Sequence, residues 1–124
     1  MPHVIENCPS TIALHVGTNS IFDKEKEPEQ IAQEVIDAGK TAEQLGVTNV
    51  IISGLIVRRS GMWAERRRRQ VNNILEDRCD LNNFLFSNND NIVLEDLYED
   101  RVHLLDSGSA KLGKNLKSAI NRFN

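Results

Sequence analysis

TIALHVGTNS, residues Thr11 to Ser20, opens as an apolar run, Ile12-Ala13-Leu14-His15-Val16, and breaks at Gly17-Thr18-Asn19. A short apolar run that ends in glycine predicts a buried strand, here Thr11–Val16, delivering polar groups at its carboxyl end. In an open α/β sheet that end is where ligands bind. Upstream, Pro9 and Ser10 mark a turn, and residues 1–10 read as irregular.

Downstream the period changes. Ile31, Val35, Ala38, Ala42 and Leu45 recur at spacings of three and four, which predicts a helix over Pro28–Leu45 with one apolar stripe. Pro28 suits its first turn, Glu27 and Glu29 sit at its positive end, and Gly46 stops it. Asn49–Leu55 (NVIISGL) does not alternate with polar residues, as expected of a parallel strand covered on both faces. Strand, helix and strand with short connections make a right-handed parallel crossover. A second helix is expected over Met62–Asp77, with Val71, Ile74, Leu75 and Cys79 on its inner face, then a third strand around Phe84-Leu85-Phe86. Asn88–Asn91 reads as a turn, Ile92–Leu97 as a strand extension or a separate short segment, and Asp100–Asp106 as a loop. The last helix, Ser107–Arg122, carries Leu112, Leu116, Ala119, Ile120 and Phe123 as a stripe and is capped by Asp106 or Ser107. The expected architecture is α/β, a three-layer sandwich on a short parallel sheet. Three strands make a thin sheet. The pattern therefore reads as the C-terminal part of a larger doubly wound domain, truncated at its N-terminus. The first strand would keep an open edge that invites self-association.

Composition narrows the function. The 124 residues are 40% hydrophobic and 27% charged, with a formal net charge of -3, which suits one soluble domain and argues against nucleic acid or an anionic membrane as main partner. No apolar run approaches the roughly 20 residues of a membrane span, and the N-terminus lacks a secretory pattern, so the location is read as cytoplasmic or left open. Cys8 and Cys79 match no metal or redox spacing and read as reduced and partly buried rather than disulfide-linked. No metal or cofactor is expected.

Asp100 and His103 lie three residues apart. In a loop or first helical turn the carboxylate can reach the His103 Nδ1–H, fixing the tautomer and leaving Nε2 as a general base. Gly17 and Asn19 supply the complement: a close backbone N–H and an amide that could stabilise an oxyanion. Taken singly, each motif is more often a surface acid beside a surface histidine, or a strand-to-loop turn.

Their order changes that balance. IALHVGTNS at Ile12–Ser20 and DRVHLLDSG at Asp100–Gly108, with VIISGLIVRR at Val50–Arg59 between them, resemble the SGNH (GDSL-type) hydrolase family over about Thr11–Phe123. The resemblance implies a flavodoxin-like fold and hydrolysis of small acyl esters. It makes His103 the general base, Asp100 its orienting partner, Asn19 an oxyanion donor and Gly17 the residue that lets the turn present it. Arg58 falls where some relatives carry arginine. It could contact a substrate anion, but pairing with a loop acid is the preferred reading.

The departures from the family are equally informative. The Gly-Asp-Ser block with the nucleophile is absent, as is the next block's glycine, and Ser20 stands where the family has aspartate. Ser20, Ser53 and Ser60 lie near strand ends, but none is expected on the sharp turn that exposes an activated serine. The domain should therefore be inactive alone. A non-catalytic binding or interaction module on the same fold is the alternative, and a flavodoxin-like receiver or nucleotide binder is weaker, because there is no phosphate-cradling glycine loop and no acidic cluster after a first strand.

The remaining features have plainer readings. Arg66–Arg69 should be a solvated helix face. His15 should be a hydrogen-bonded core histidine. Met62 and Trp63 could wall a pocket or cover the sheet edge. The acidic run Glu95–Asp100 should be loop surface.

Overall fold

A computed structural model describes residues 10–17, 19–58, 61–97 and 104–123. Asp100, His103, Ser60, His3 and Cys8 lie outside the described residues, as does the side chain of Asn19. In chain order the described residues form β1 (Thr11–Leu14), α1 (Pro28–Gln44), β2 (Asn49–Ser53), α2 (Met62–Leu81), β3 (Leu85–Ser87) and α3 (Asp106–Asn121). Short 3-10 helices stand at Asn19–Phe22 and Leu94–Asp96.

The sheet runs β1-β2-β3 and both pairings are parallel, with Leu14 opposite Ile52 and Ile52 opposite Phe86. Strand side chains alternate between faces. Ile12, Leu14, Val50, Ile52 and Phe86 therefore share one face, where they pack with Ile31, Val35 and Ile36 of α1 and with Val71 and Leu75 of α2. Ala13, Ile51, Ser53, Leu85 and Ser87 share the other, toward α3. Ile51 is buried there, whereas Ala13 is exposed, because α3 covers β2 and β3 and leaves β1 open. The result is the three-layer, flavodoxin-like α/β/α arrangement.

α1 buries Ile31, Ala32, Val35, Ile36, Gly39 and Ala42, while Leu45, expected in the stripe, stays exposed. It closes with Gly46 at φ +102, the Gly46 N–H on Glu43 C=O and the Val47 N–H on Ala42 C=O, which gives partners to two carbonyls at the helix end. Gly39 is there for space: a Cβ on it would lie 2.6 Å from the Phe84 ring.

Several boundaries differ from the sequence reading. β1 stops at Leu14 rather than Val16, because β2 ends its pairing with β1 at Ile52. β2 stops at Ser53, and Gly54 and Leu55 continue as buried, non-strand chain. α2 runs four residues past Asp77 to Leu81. Asn82 then returns its side-chain amide to Arg78 C=O, and Asn83 takes φ 58, a left-handed conformation asparagine tolerates. α3 begins at Asp106 with no side-chain cap; the Ser107 hydroxyl bonds Asp96 instead. Ile92–Leu97 is a separate segment, not an extension of β3.

Candidate functional site at the carboxyl edge of the sheet

All three strands point their carboxyl ends to one edge, and the connections leaving that edge carry the polar groups. After β1 the chain turns at Gly17 (φ +98). The turn abuts the core: a Cβ there would sit 3.2 Å from Val35 and 3.4 Å from Leu55. Ser20 N–H returns to Gly17 C=O, and the 3-10 helix Asn19–Phe22 buries Ile21 completely.

The following connector is held from α2 by Arg67. Its guanidinium donates to the carbonyls of Ile21 (2.7 Å), Asp23 (3.1 Å) and Lys26 (2.7 Å), and lies 4.8 Å from the centre of the Trp63 ring. Arg68 donates to Leu55 C=O and pairs with Glu65 and Asp90. The arginine run is therefore not one solvated face. Arg66 and Arg69 are exposed, but Arg67 and Arg68 are buried, because successive helical residues turn by about 100° and these two face the connections that need donors. Arg58 stacks at 4.7 Å on Phe22, linking the connections after β1 and β2.

The segment after β2 is fixed by its backbone. Asn72 accepts from the Leu55 N–H at 2.8 Å and donates to its C=O at 3.1 Å, taking the place of a neighbouring strand. Behind it lies a polar chain on the α3 face. Asn89, 1% exposed, donates to Ser53 Oγ (2.9 Å) and Gly54 C=O (2.7 Å) and accepts from Asn115 of α3 (2.9 Å). His15 Nδ1 meets Ser53 Oγ at 2.9 Å. With Asn89 already donating to that oxygen, every group is used when Ser53 donates to an unprotonated Nδ1. Burial of the ring lowers the His15 pKa and keeps it neutral. His15 is thus hydrogen-bonded as expected, but it lies beyond the strand, with the residue as a whole exposed rather than in the core.

A Ser–His contact of this kind has the form of a nucleophile and base, but its surroundings oppose that use. Ser53 is 1% exposed, and the two amides that follow it are committed, Gly54 N–H to Ser87 C=O and Leu55 N–H to Asn72. Neither is available to an oxyanion.

The third connection ends in a clamp. The Asp96 carboxylate accepts from Lys111 Nζ (2.8 Å), the Val93 N–H (2.9 Å) and the Ser107 hydroxyl (2.8 Å), which hold its pKa down to about 2, the lysine contributing most. The Asp96 C=O accepts from the Leu105 N–H at 2.7 Å, and a Cβ on Gly108 would lie 2.9 Å from that oxygen. Leu97 and Leu104 form an antiparallel bridge. The bridge joins the chain at Leu97 and Leu104; Asp100 and His103 fall between these two in sequence, outside the described residues. Glu95–Asp100 was expected to be loop surface, but Asp96 is buried.

Among the described residues no group of three or more His, Cys, Asp or Glu could hold a metal ion. No described helix is long and apolar enough to cross a membrane. Cys79 is free and buried, and burial pushes its thiol up to about 12.

No family model matches the chain, and no curated protein matches it. Among solved structures it is similar to a point mutant of an acetyl-xylooligosaccharide esterase from Geobacillus, at 19% identity and a TM-score of 0.70. The match covers 90% of this chain and 59% of the esterase, so this chain spans less than two thirds of the esterase's length. At that identity the likeness is one of fold: the chain has the α/β architecture found in an esterase.

Proposed function

We propose that this chain is the His–Asp-bearing portion of an SGNH-type acyl-ester hydrolase. The observation that carries the reading is the fold shared with an acetyl esterase over 90% of the chain, on a sequence that holds the GTN and DxxH blocks in the family's order. In this reading Gly17 and Asn19 form the oxyanion side, His103 is the general base and Asp100 orients it. A serine Oγ attacks the ester carbonyl carbon as its proton passes to His103. The alcohol leaves with that proton, and water, activated by His103, releases the carboxylic acid. Ser53 is unsuited to the attack because it is buried and its neighbouring amides are committed. The reading therefore assigns the nucleophile to a Gly-Asp-Ser-bearing strand outside these 124 residues, pairing beside β1.

The test is hydrolysis of a short-chain aryl acetate by the folded chain and by the chain extended with such a strand. Hydrolysis is expected only in the extended form, abolished by His103→Ala and reduced about 10²–10³-fold by Asn19→Ala. A folded extended form with no activity would leave the binding-module reading. Activity in the chain alone that survives His103→Ala would sink the assigned roles.

A further inference from the structure

The outer edge of β3 faces a groove. The Gly54 N–H donates to Ser87 C=O at 2.8 Å, so Ser87 turns its backbone groups toward β2. In a parallel ladder these groups alternate, which points the Phe86 N–H and C=O away from the sheet. Among the described residues no strand pairs with that side. α2 and α3 rise on either side of the edge and leave a cavity of about 520 Å³ with β3 along its floor. Glu76, Asp77 and Asp80 line one wall; Asn115, Ser118 and Arg122 line the other. The three acids are exposed, and among the described residues no cation pairs with them.

We propose that this slot binds an extended, lysine- or arginine-bearing peptide segment of another protein, which adds to the sheet beside β3. Edge strands are ordinarily blunted by short length, a charge, a proline or a bulge; β3 is three residues long and offers the guest the outward groups of Phe86, but Leu85-Phe86-Ser87 has neither charge nor proline. A strand between two helices would be covered on both faces, as β2 is, with backbone bonds supplying affinity and the flanking groups supplying specificity. The acidic wall selects the charge of the guest. It also disfavours a second copy of this chain, which would set Glu76, Asp77 and Asp80 against their own counterparts on a molecule already at -3. The proposal uses no residue of the hydrolase reading and stands or falls apart from it.

The test titrates the full chain into a fluorescein-labelled eight-residue peptide of alternating lysine and valine, followed by fluorescence polarisation, with amide exchange of Phe86 followed by NMR. Saturable binding that weakens with salt is expected, with slowed exchange at the Phe86 N–H. An alternating glutamate–valine peptide should not bind. The double variant D77K/D80K, altered only at exposed helix positions, should lose about tenfold in affinity. Ser118→Arg, which fills the groove from the facing wall, should weaken binding in the same direction. Absence of binding, affinity indifferent to both variants, or an unprotected Phe86 amide at saturation would each overturn the proposal. So would a dimer in sedimentation that already protects Phe86 without peptide.

Discussion

His15 Nδ1 and Ser53 Oγ meet at 2.9 Å, and the bond ties the carboxyl end of β1 to that of β2, two residues ahead of the Gly17 turn. It depends on a neutral imidazole. The unfolded chain binds the proton at an ordinary 6.5, whereas burial lowers the pKa in the folded state. The unfolded state therefore holds more protons in the window just below 6.5. The contribution is complete above that value and is lost as pH falls through it. Urea unfolding between about pH 5 and 8 should show stability falling on the acid side. His15→Gln should flatten that limb. An unchanged slope in the variant would mean that another group causes it.

Asn72 serves Leu55 as a strand would, so removing it orphans a buried N–H and weakens the support of a buried C=O. Asn72→Ala should destabilise by about 1–3 kcal/mol in urea unfolding, with little change in the unfolding slope. A loss below about 0.5 kcal/mol would show that water replaces the amide.

Much of this fold was legible because periodicity reports burial. NVIIS announced a strand covered on both faces, and the spacing of Ile31, Val35 and Ala42 announced the helix beside it. What escaped was the use of polar residues as structural partners. Asn72, Asn89 and Asp96 carry no apolar period, and their burial follows from backbone groups left unpaired where β2 and β3 end. Arg67 and Arg68 escaped for the same reason: a run of four arginines reads as charge, and only the position of the connector makes two of them donors to buried carbonyls. Signals did exist. An Asn-rich turn directly after a buried strand, and an arginine run opposite a charged connector, both mark places where backbone groups need partners. At Gly17 the chain takes a positive-φ turn, where the apolar run of the sequence breaks. Arg58 proves to stack on Phe22, a contact its charge alone did not suggest.

Arg67 holds the connector through geometry as much as charge. Three carbonyls from residues 21, 23 and 26 share one planar guanidinium. A lysine ammonium cannot match that fork or stack equivalently on Trp63. Arg67→Lys should therefore resemble Arg67→Ala, each destabilising by about 1–3 kcal/mol and each speeding limited proteolysis within residues 22–27. Wild-type resistance in the lysine variant would mean that the positive charge alone suffices.

The clamp at Asp96 joins the chain before Leu97 to the start of α3 at Leu105 and Ser107. Its carboxylate is held at about 2 against an ordinary 3.8, with the Lys111 ammonium as the largest cause. A depressed acid pKa contributes stability that is complete above the ordinary value and disappears as pH falls from there toward the folded one. Acid unfolding of the wild-type chain should therefore steepen between 3.8 and about 2. Asp96→Asn should remove that step, and Lys111→Met should shift it toward 3.8. Both should also loosen the join between residues 96–97 and 104–105, since the Leu105 N–H bonds the Asp96 carbonyl and Leu97 bridges Leu104. Hydrogen exchange at the Leu105 amide measures this directly. Faster exchange in both variants at neutral pH, where the fold is otherwise intact, identifies the carboxylate–ammonium pair as the tether. Exchange unchanged in both would place the tether in the backbone bridge alone.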